Sequence, residues 1–112
     1  MAKIVQSTGS GAGSRGIIIG KFLPPHRGHQ YLVDFAKNYV DDLTVLVCSL
    51  KSEPIPGEVR FEWMREMFPD VKIVHVTDEN PQEPTEHTDF WNIWRETIMK
   101  AVPGGADYIF AS

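Results

Sequence analysis

The sequence predicts an α/β fold, a parallel sheet with helices on both faces, and three observations carry that expectation. Short apolar runs rich in β-branched residues recur along the chain: "GIIIGKF", "LTVLVCS", "VKIVHV" and "DYIFAS". Between them lie segments whose apolar residues return every three or four positions, and proline or glycine punctuates the joins. Unbroken apolar runs suit strands covered on both faces, and helical crossovers between such strands imply a parallel sheet.

Each element can be justified in turn. "GIIIGKF", bounded by glycines, is the first strand. From Gly28 to about Val40, Leu32, Phe35, Ala36, Tyr39 and Val40 share a helical face, with Asp34, Lys37 and Asn38 left for solvent. "LTVLVCS" repeats the buried-strand pattern. "SEPIPGE" then breaks the chain before "VRFEWMREMF", where Phe61, Met64, Met67 and Phe68 share a face. "VKIVHV" is a strand by β-branching and alternation. The acidic stretch "DENPQEPTEHTD" reads as a solvated loop or a lid over a pocket. It leads into "TDFWNIWRETIMKAV", with Trp91, Trp94, Ile98 and Ala101 or Val102 on one side, and "GG" closes that helix before "DYIFAS".

The 112 residues, 42% of them hydrophobic, suffice for one domain with a core. A net charge of -4 argues against a protein devoted to nucleic acid or anionic membranes. No apolar stretch reaches the length of a membrane span, and there is no signal-like hydrophobic N-terminus, so a cytoplasmic setting is expected. Cys48, the lone cysteine, lies within an apolar run and reads as a small buried hydrophobe. Residues 1–15, with "STGSGAGSRG" at their heart, are expected to form a flexible leader to a domain of residues 16–112. Gly11, Gly13 and Gly16 satisfy G-x-G-x-x-G, but they run into a strand rather than open a helix, so they do not make a dinucleotide fingerprint.

The chemistry concentrates in "GKFLPPHRGH", Gly20 to His29, directly behind the first strand. Ligands of open parallel sheets bind beyond the carboxyl ends of strands, near the point where strand order reverses. Pro24 and Pro25 hold the chain extended, so the following helix can start only near His26 to Gly28. That places His29 in or beside the first helical turn, where N–H groups and the helix dipole favour an anion. Gly28 permits close approach, and Lys21 and Arg27 add positive charge. Phosphate is the ligand this chemistry suits.

The stretch resembles the H-x-G-H signature of the nucleotidyltransferase superfamily, and its longer form G-[KR]-F-x-P-x-H-x-G-H is similar to that of NMN adenylyltransferases. "PGEVRFEWM" resembles the family's G-E-R-x-x-M segment with Val59 inserted. "TDFWNIWRETI" is similar to the aromatic helix start of the archaeal enzymes and of the bifunctional NMN adenylyltransferase/ribosylnicotinamide kinases. The resemblance implies a Rossmann-like sheet and transfer of AMP from ATP to NMN, giving NAD and pyrophosphate. It also implies His26, His29 and Lys21 as catalytic residues, and Gly20, Phe22, Gly28, Trp91 and Trp94 as substrate-binding ones. Magnesium would come with the substrate phosphates, with no dedicated metal site in the protein. The family's later I-S-x-[ST]-x-[IV]-R segment is not found here, so the domain is expected to be truncated at its C-terminus.

Other readings compete. Without the resemblance, His26 and His29 could be loop histidines with capping roles. Zinc would need them to join His75, His87 or Cys48, which sit in separate elements. Trp91 and Trp94 have the spacing of core aromatics, with one in the core and one in a pocket as the expectation. Arg60 and Arg95 read as solvated helix charges paired with Glu62 or nearby acids, and no role follows for His75 and His87. A non-catalytic nucleotide-binding module or fragment of a longer enzyme, or a related adenylyl- or cytidylyltransferase with another phosphorylated acceptor, is the alternative function.

Overall fold

The computed structural model describes residues 3–7 and 14–111. Strand β1 (Lys3–Ser7) is followed by β2 (Arg15–Gly20), helix α1 (Arg27–Tyr39), β3 (Asp42–Cys48), α2 (Gly57–Met67) and β4 (Lys72–Val76). A short 3-10 turn (Pro84–Glu86), α3 (Phe90–Ala101) and β5 (Tyr108–Ala111) complete the order. The sheet runs β1-β5-β2-β3-β4. Four of these strands, β5, β2, β3 and β4, are mutually parallel, and β1 pairs antiparallel with the outer side of β5. The Rossmann-like α/β reading therefore holds.

Side-chain alternation along each strand divides the core in two. Ile18, Val45, Val47 and Phe110 face Leu32, Val33 and Ala36 of α1 and Met64 of α2. Ile17, Leu46, Cys48 and Val76 face the other way, toward Trp94 and Ile98 of α3. Helices thus cover both faces, and the β-branched runs are buried on both sides as their composition requires.

Some expectations change. The leader of residues 1–15 contains a strand: Lys3–Ser7 finds backbone partners along the open edge of β5. Gly11, Gly13 and Ser112 lie outside the described residues. On α1, Leu32, Val33, Ala36 and Val40 form the buried stripe, while Phe35 and Tyr39 sit on its shoulder, half exposed, with ring contacts to Phe110. On α2 the stripe is Gly57, Arg60, Met64 and the capping Phe68, and Met67 turns outward. At the end of α3, Gly105 takes φ 74, a left-handed turn that glycine adopts without steric cost.

Strand order fixes where a ligand can sit. The chain steps from β2 through β3 to β4 with α1 and α2 on one face, then returns along the opposite face through α3 to β5 on the far side of β2. The reversal falls at β2, whose carboxyl end carries "GKFLPPHRGH".

Candidate active site

His26 is the N-cap of α1, as the two prolines require, with extended backbone at φ -149 and ψ -177. Its Nδ1 accepts the Gly28 N–H at 3.0 Å, and its own N–H donates to Nδ1 of His29 at 3.1 Å. This is a reciprocal capping box built from two histidines. The imidazoles stack with centroids 3.9 Å apart and planes inclined by 25°. Because each Nδ1 accepts a backbone N–H, each neutral ring carries its proton on Nε2. The capping and chemical readings of the pair are therefore the same geometry.

His29 is 9% exposed. Burial, and secondarily the neighbouring His26, lowers its pKa from 6.5 to about 4. It is a neutral donor at physiological pH. Its ring lies edge-on to Phe22, at 4.6 Å between centroids. Phe22 adopts φ 53, a left-handed conformation costing a non-glycine residue about 1–2 kcal/mol. Burial of its ring, 2% exposed, opposes that cost.

A cleft of about 600 Å³ opens over this junction. Gly20, Lys21, Phe22, His26 and His29 line it, joined by Cys48, Gln82 and Trp94. The structure thus brings together six of the eight residues singled out from sequence. Gly28 lies beneath the cap: a Cβ there would stand 2.8 Å from Cε1 of His26, so glycine is needed for the imidazole to lie over the backbone. Trp91 does not reach the cleft and is 72% exposed against Phe90. A three-residue offset turns two side chains about 60° apart around a helix. Trp94 takes the inward side, its Nε1 donating to the Pro81 carbonyl at 2.8 Å. Its ring contributes to the core cluster under α3 as well as to the cleft wall.

The expectation of free N–H groups at the helix start is revised. Gly28 donates to the His26 ring, and the N–H groups of His29 and Gln30 go to the His26 carbonyl. An anion at this junction would therefore meet side-chain donors more than backbone ones.

Arg60 is the largest departure from the sequence reading. It is not a solvated charge paired with Glu62; it is fully buried. Its guanidinium donates to the carbonyls of Ile55 at 3.1 Å, Lys21 at 2.8 Å and Cys48 at 3.5 Å, and to Glu53 Oε1 at 2.9 Å. Arg65 pairs with Glu62 instead. Glu53 also accepts the Leu50 N–H at 2.8 Å and forms an ion pair with Lys21. Burial pushes the Glu53 carboxyl up, but the Leu50 N–H, Lys21 and Arg60 together hold it below its ordinary range. A single Glu in a proline-rich loop carries no signal of this role.

Two nucleophile-like side chains, Cys48 and Ser49, are buried. Burial raises the Cys48 thiol to about 12. Ser49 Oγ lies 2.7 Å from Nε2 of His75, yet a Cβ at Gly57 would stand only 2.3 Å from that hydroxyl, so α2 covers the pair. Among the described residues no three His, Cys, Asp or Glu side chains are grouped to hold a metal ion. Nor is any helix among them long and apolar enough to cross a membrane.

No protein-family model matches the chain. Among curated proteins it is 29% identical to the trifunctional NAD biosynthesis/regulator protein NadR of Escherichia coli over 101 residues, 76% of this chain and 24% of the relative. It is 32% identical over 79 residues to a probable nicotinate-nucleotide adenylyltransferase of Sulfurimonas denitrificans, 62% of this chain and 43% of the relative. The chain thus spans less than half the length of either protein. Among solved structures, NadR protein in complex with NAD and AMP-PNP matches 85% of this chain and 28% of its own, with TM-score 0.70 and 22% identity. A bifunctional NMN adenylyltransferase/ADP ribose pyrophosphatase from Francisella tularensis, complexed with AMP and a manganese ion, matches 84% of this chain and 30% of its own, with TM-score 0.58 and 20% identity. In sequence and in fold this chain is similar to the NMN adenylyltransferase-like nucleotidyltransferases, the group its opening stretch resembles.

Proposed function

We propose that the cleft transfers AMP from ATP to NMN, giving NAD and pyrophosphate. The observation that carries this reading is the histidine box: both Nδ1 atoms are tied to backbone N–H groups, which leaves two Nε2–H donors on adjacent rings at one cleft wall. An NMN phosphate oxygen forms a bond to the α-phosphorus of ATP. The bond from that phosphorus to the β-phosphate bridging oxygen breaks, and its electron pair leaves with pyrophosphate. The second pKa of a phosphate monoester is about 6, so the attacking oxygen is already ionised at neutral pH and needs no general base. Catalysis is then positioning and charge stabilisation.

In this reading His26 and His29 donate to phosphate oxygens as charge develops, and Lys21 neutralises the triphosphate. Gly20 and Phe22 form the floor under the nucleotide, and Trp94 offers a ring at the cleft wall. A divalent cation bound to the triphosphate would withdraw charge from it; the protein's own side chains orient the phosphates and supply donors. The lone buried Cys48 suits a reducing, cytoplasmic setting.

The test is to incubate the protein with NMN, ATP and magnesium and to follow NAD and pyrophosphate. Loss of one preorganised donor costs about 10²–10³-fold in turnover, so His26→Ala and His29→Ala should each fall in that range. Unchanged turnover in both variants removes the assignment. Binding of ATP without NAD formation supports a nucleotide-binding module instead, and turnover only with another phosphorylated acceptor changes the substrate.

A further inference from the structure

Lys21 is a long, flexible side chain among those lining the cleft, and its ammonium is nonetheless tied to one partner. That partner, Glu53, is only 10% exposed and is held from two other directions, by the Leu50 N–H at 2.8 Å and by Arg60 at 2.9 Å. Arg60, with no exposed surface, also grips the Lys21 carbonyl at 2.8 Å. The backbone and the ammonium of one residue are thus referred to a single buried guanidinium, directly and through one carboxylate.

We infer that Glu53, clamped by Arg60, is a positioning residue that fixes the Lys21 ammonium at the cleft before phosphate arrives. This rests on the transfer reading above for what Lys21 meets there. The physical case is entropic and electrostatic. A free lysine carries rotamer entropy that tethering removes in advance. The cluster Lys21, Arg60 and Glu53 keeps one net positive charge, so the carboxylate orients the ammonium without cancelling the attraction for an anion.

The experiment compares turnover in wild type, Lys21→Ala, Glu53→Gln and the double variant, with melting temperatures to establish folding. Positioning effects of this kind are worth about tenfold or more in rate. Glu53→Gln should therefore lower kcat about tenfold in the wild-type background and by less than about twofold once Lys21 is alanine. A merely structural Glu53 would lower both backgrounds equally, and that result, or an unchanged Glu53→Gln, overturns the inference. If the wild type forms no NAD, the transfer reading fails, and the inference is judged from the Lys21 Cε signal in 13C-lysine-labelled protein. A dispersed signal that collapses toward the free-lysine position in Glu53→Gln sustains it; the same signal in both proteins overturns it.

Discussion

The proposed reading gives His26 two tasks with two nitrogens, and substitution can separate them. Nδ1 caps α1 through Gly28, and Nε2–H is left for a ligand. Asparagine is a strong N-cap but lacks the reach of Nε2, whereas alanine loses both functions. His26→Asn should therefore keep stability within a few tenths of a kcal/mol while losing turnover, and His26→Ala should lose about 1 kcal/mol as well. Urea denaturation alongside the NAD assay checks this; equal stability in the two variants refutes the cap. His29 adds a pH signature. Its pKa is lowered from 6.5 to about 4, so between those values the unfolded chain binds more protons than the folded one. Stability is then complete above about pH 6.5 and is lost progressively as pH falls toward 4. Melting temperatures from pH 7.5 to 5 should fall more steeply in wild type than in His29→Gln, and parallel curves would show that burial of His29 carries no proton linkage.

Helix α2 is where pattern and structure diverge most. Its apolar residues alone predict a face through Phe61, Met64, Met67 and Phe68, but the buried stripe keeps only Met64 and Phe68 of these and adds Gly57 and Arg60. A polar residue holds a core position because four acceptors surround it. Gly57 lets the first turn of α2 lie on Ser49 and His75: a Cβ there would meet Ser49 Oγ at 2.3 Å and His75 Nε2 at 2.5 Å. Gly57→Ala should destabilise by about 1–3 kcal/mol, measured by urea denaturation. A neutral result would mean that α2 shifts freely against β3 and β4. The start of helix α1 needs no such correction, since Pro24 and Pro25 set it and His26 caps the helix.

Across the sheet, the parallel order and its reversal at β2 put the cleft where charged groups from distant segments converge. Arg60 is the tie: it joins the ends of β2 and β3 through the Lys21 and Cys48 carbonyls and the loop between β3 and α2 through Ile55 and Glu53. Loss of Arg60 takes a donor from the Ile55, Lys21 and Cys48 carbonyls, while Glu53 keeps Lys21 and the Leu50 N–H. Leaving buried acceptors unsatisfied costs about 1–3 kcal/mol. Arg60→Met, of similar length, should therefore lower unfolding free energy by about that amount, whereas Arg95→Met should change it by less than about 0.5 kcal/mol. Comparable losses in both variants would return Arg60 to the status of a surface charge.

The alternation of strand and helix, the start of α1, and the convergence of Gly20, Lys21, His26 and His29 were legible in the chain because they depend on neighbours in sequence. β-branched runs choose strands, prolines forbid an early helix, and ten consecutive residues cannot lie far apart. Glu53, Arg60, Gln82 and the inward choice of Trp94 over Trp91 were not legible. Whether a charge or a ring is buried depends on which acceptors and strands the crossovers place against it. That is settled only when segments about 30 to 90 residues apart along the chain pair into one sheet and close over the same cleft.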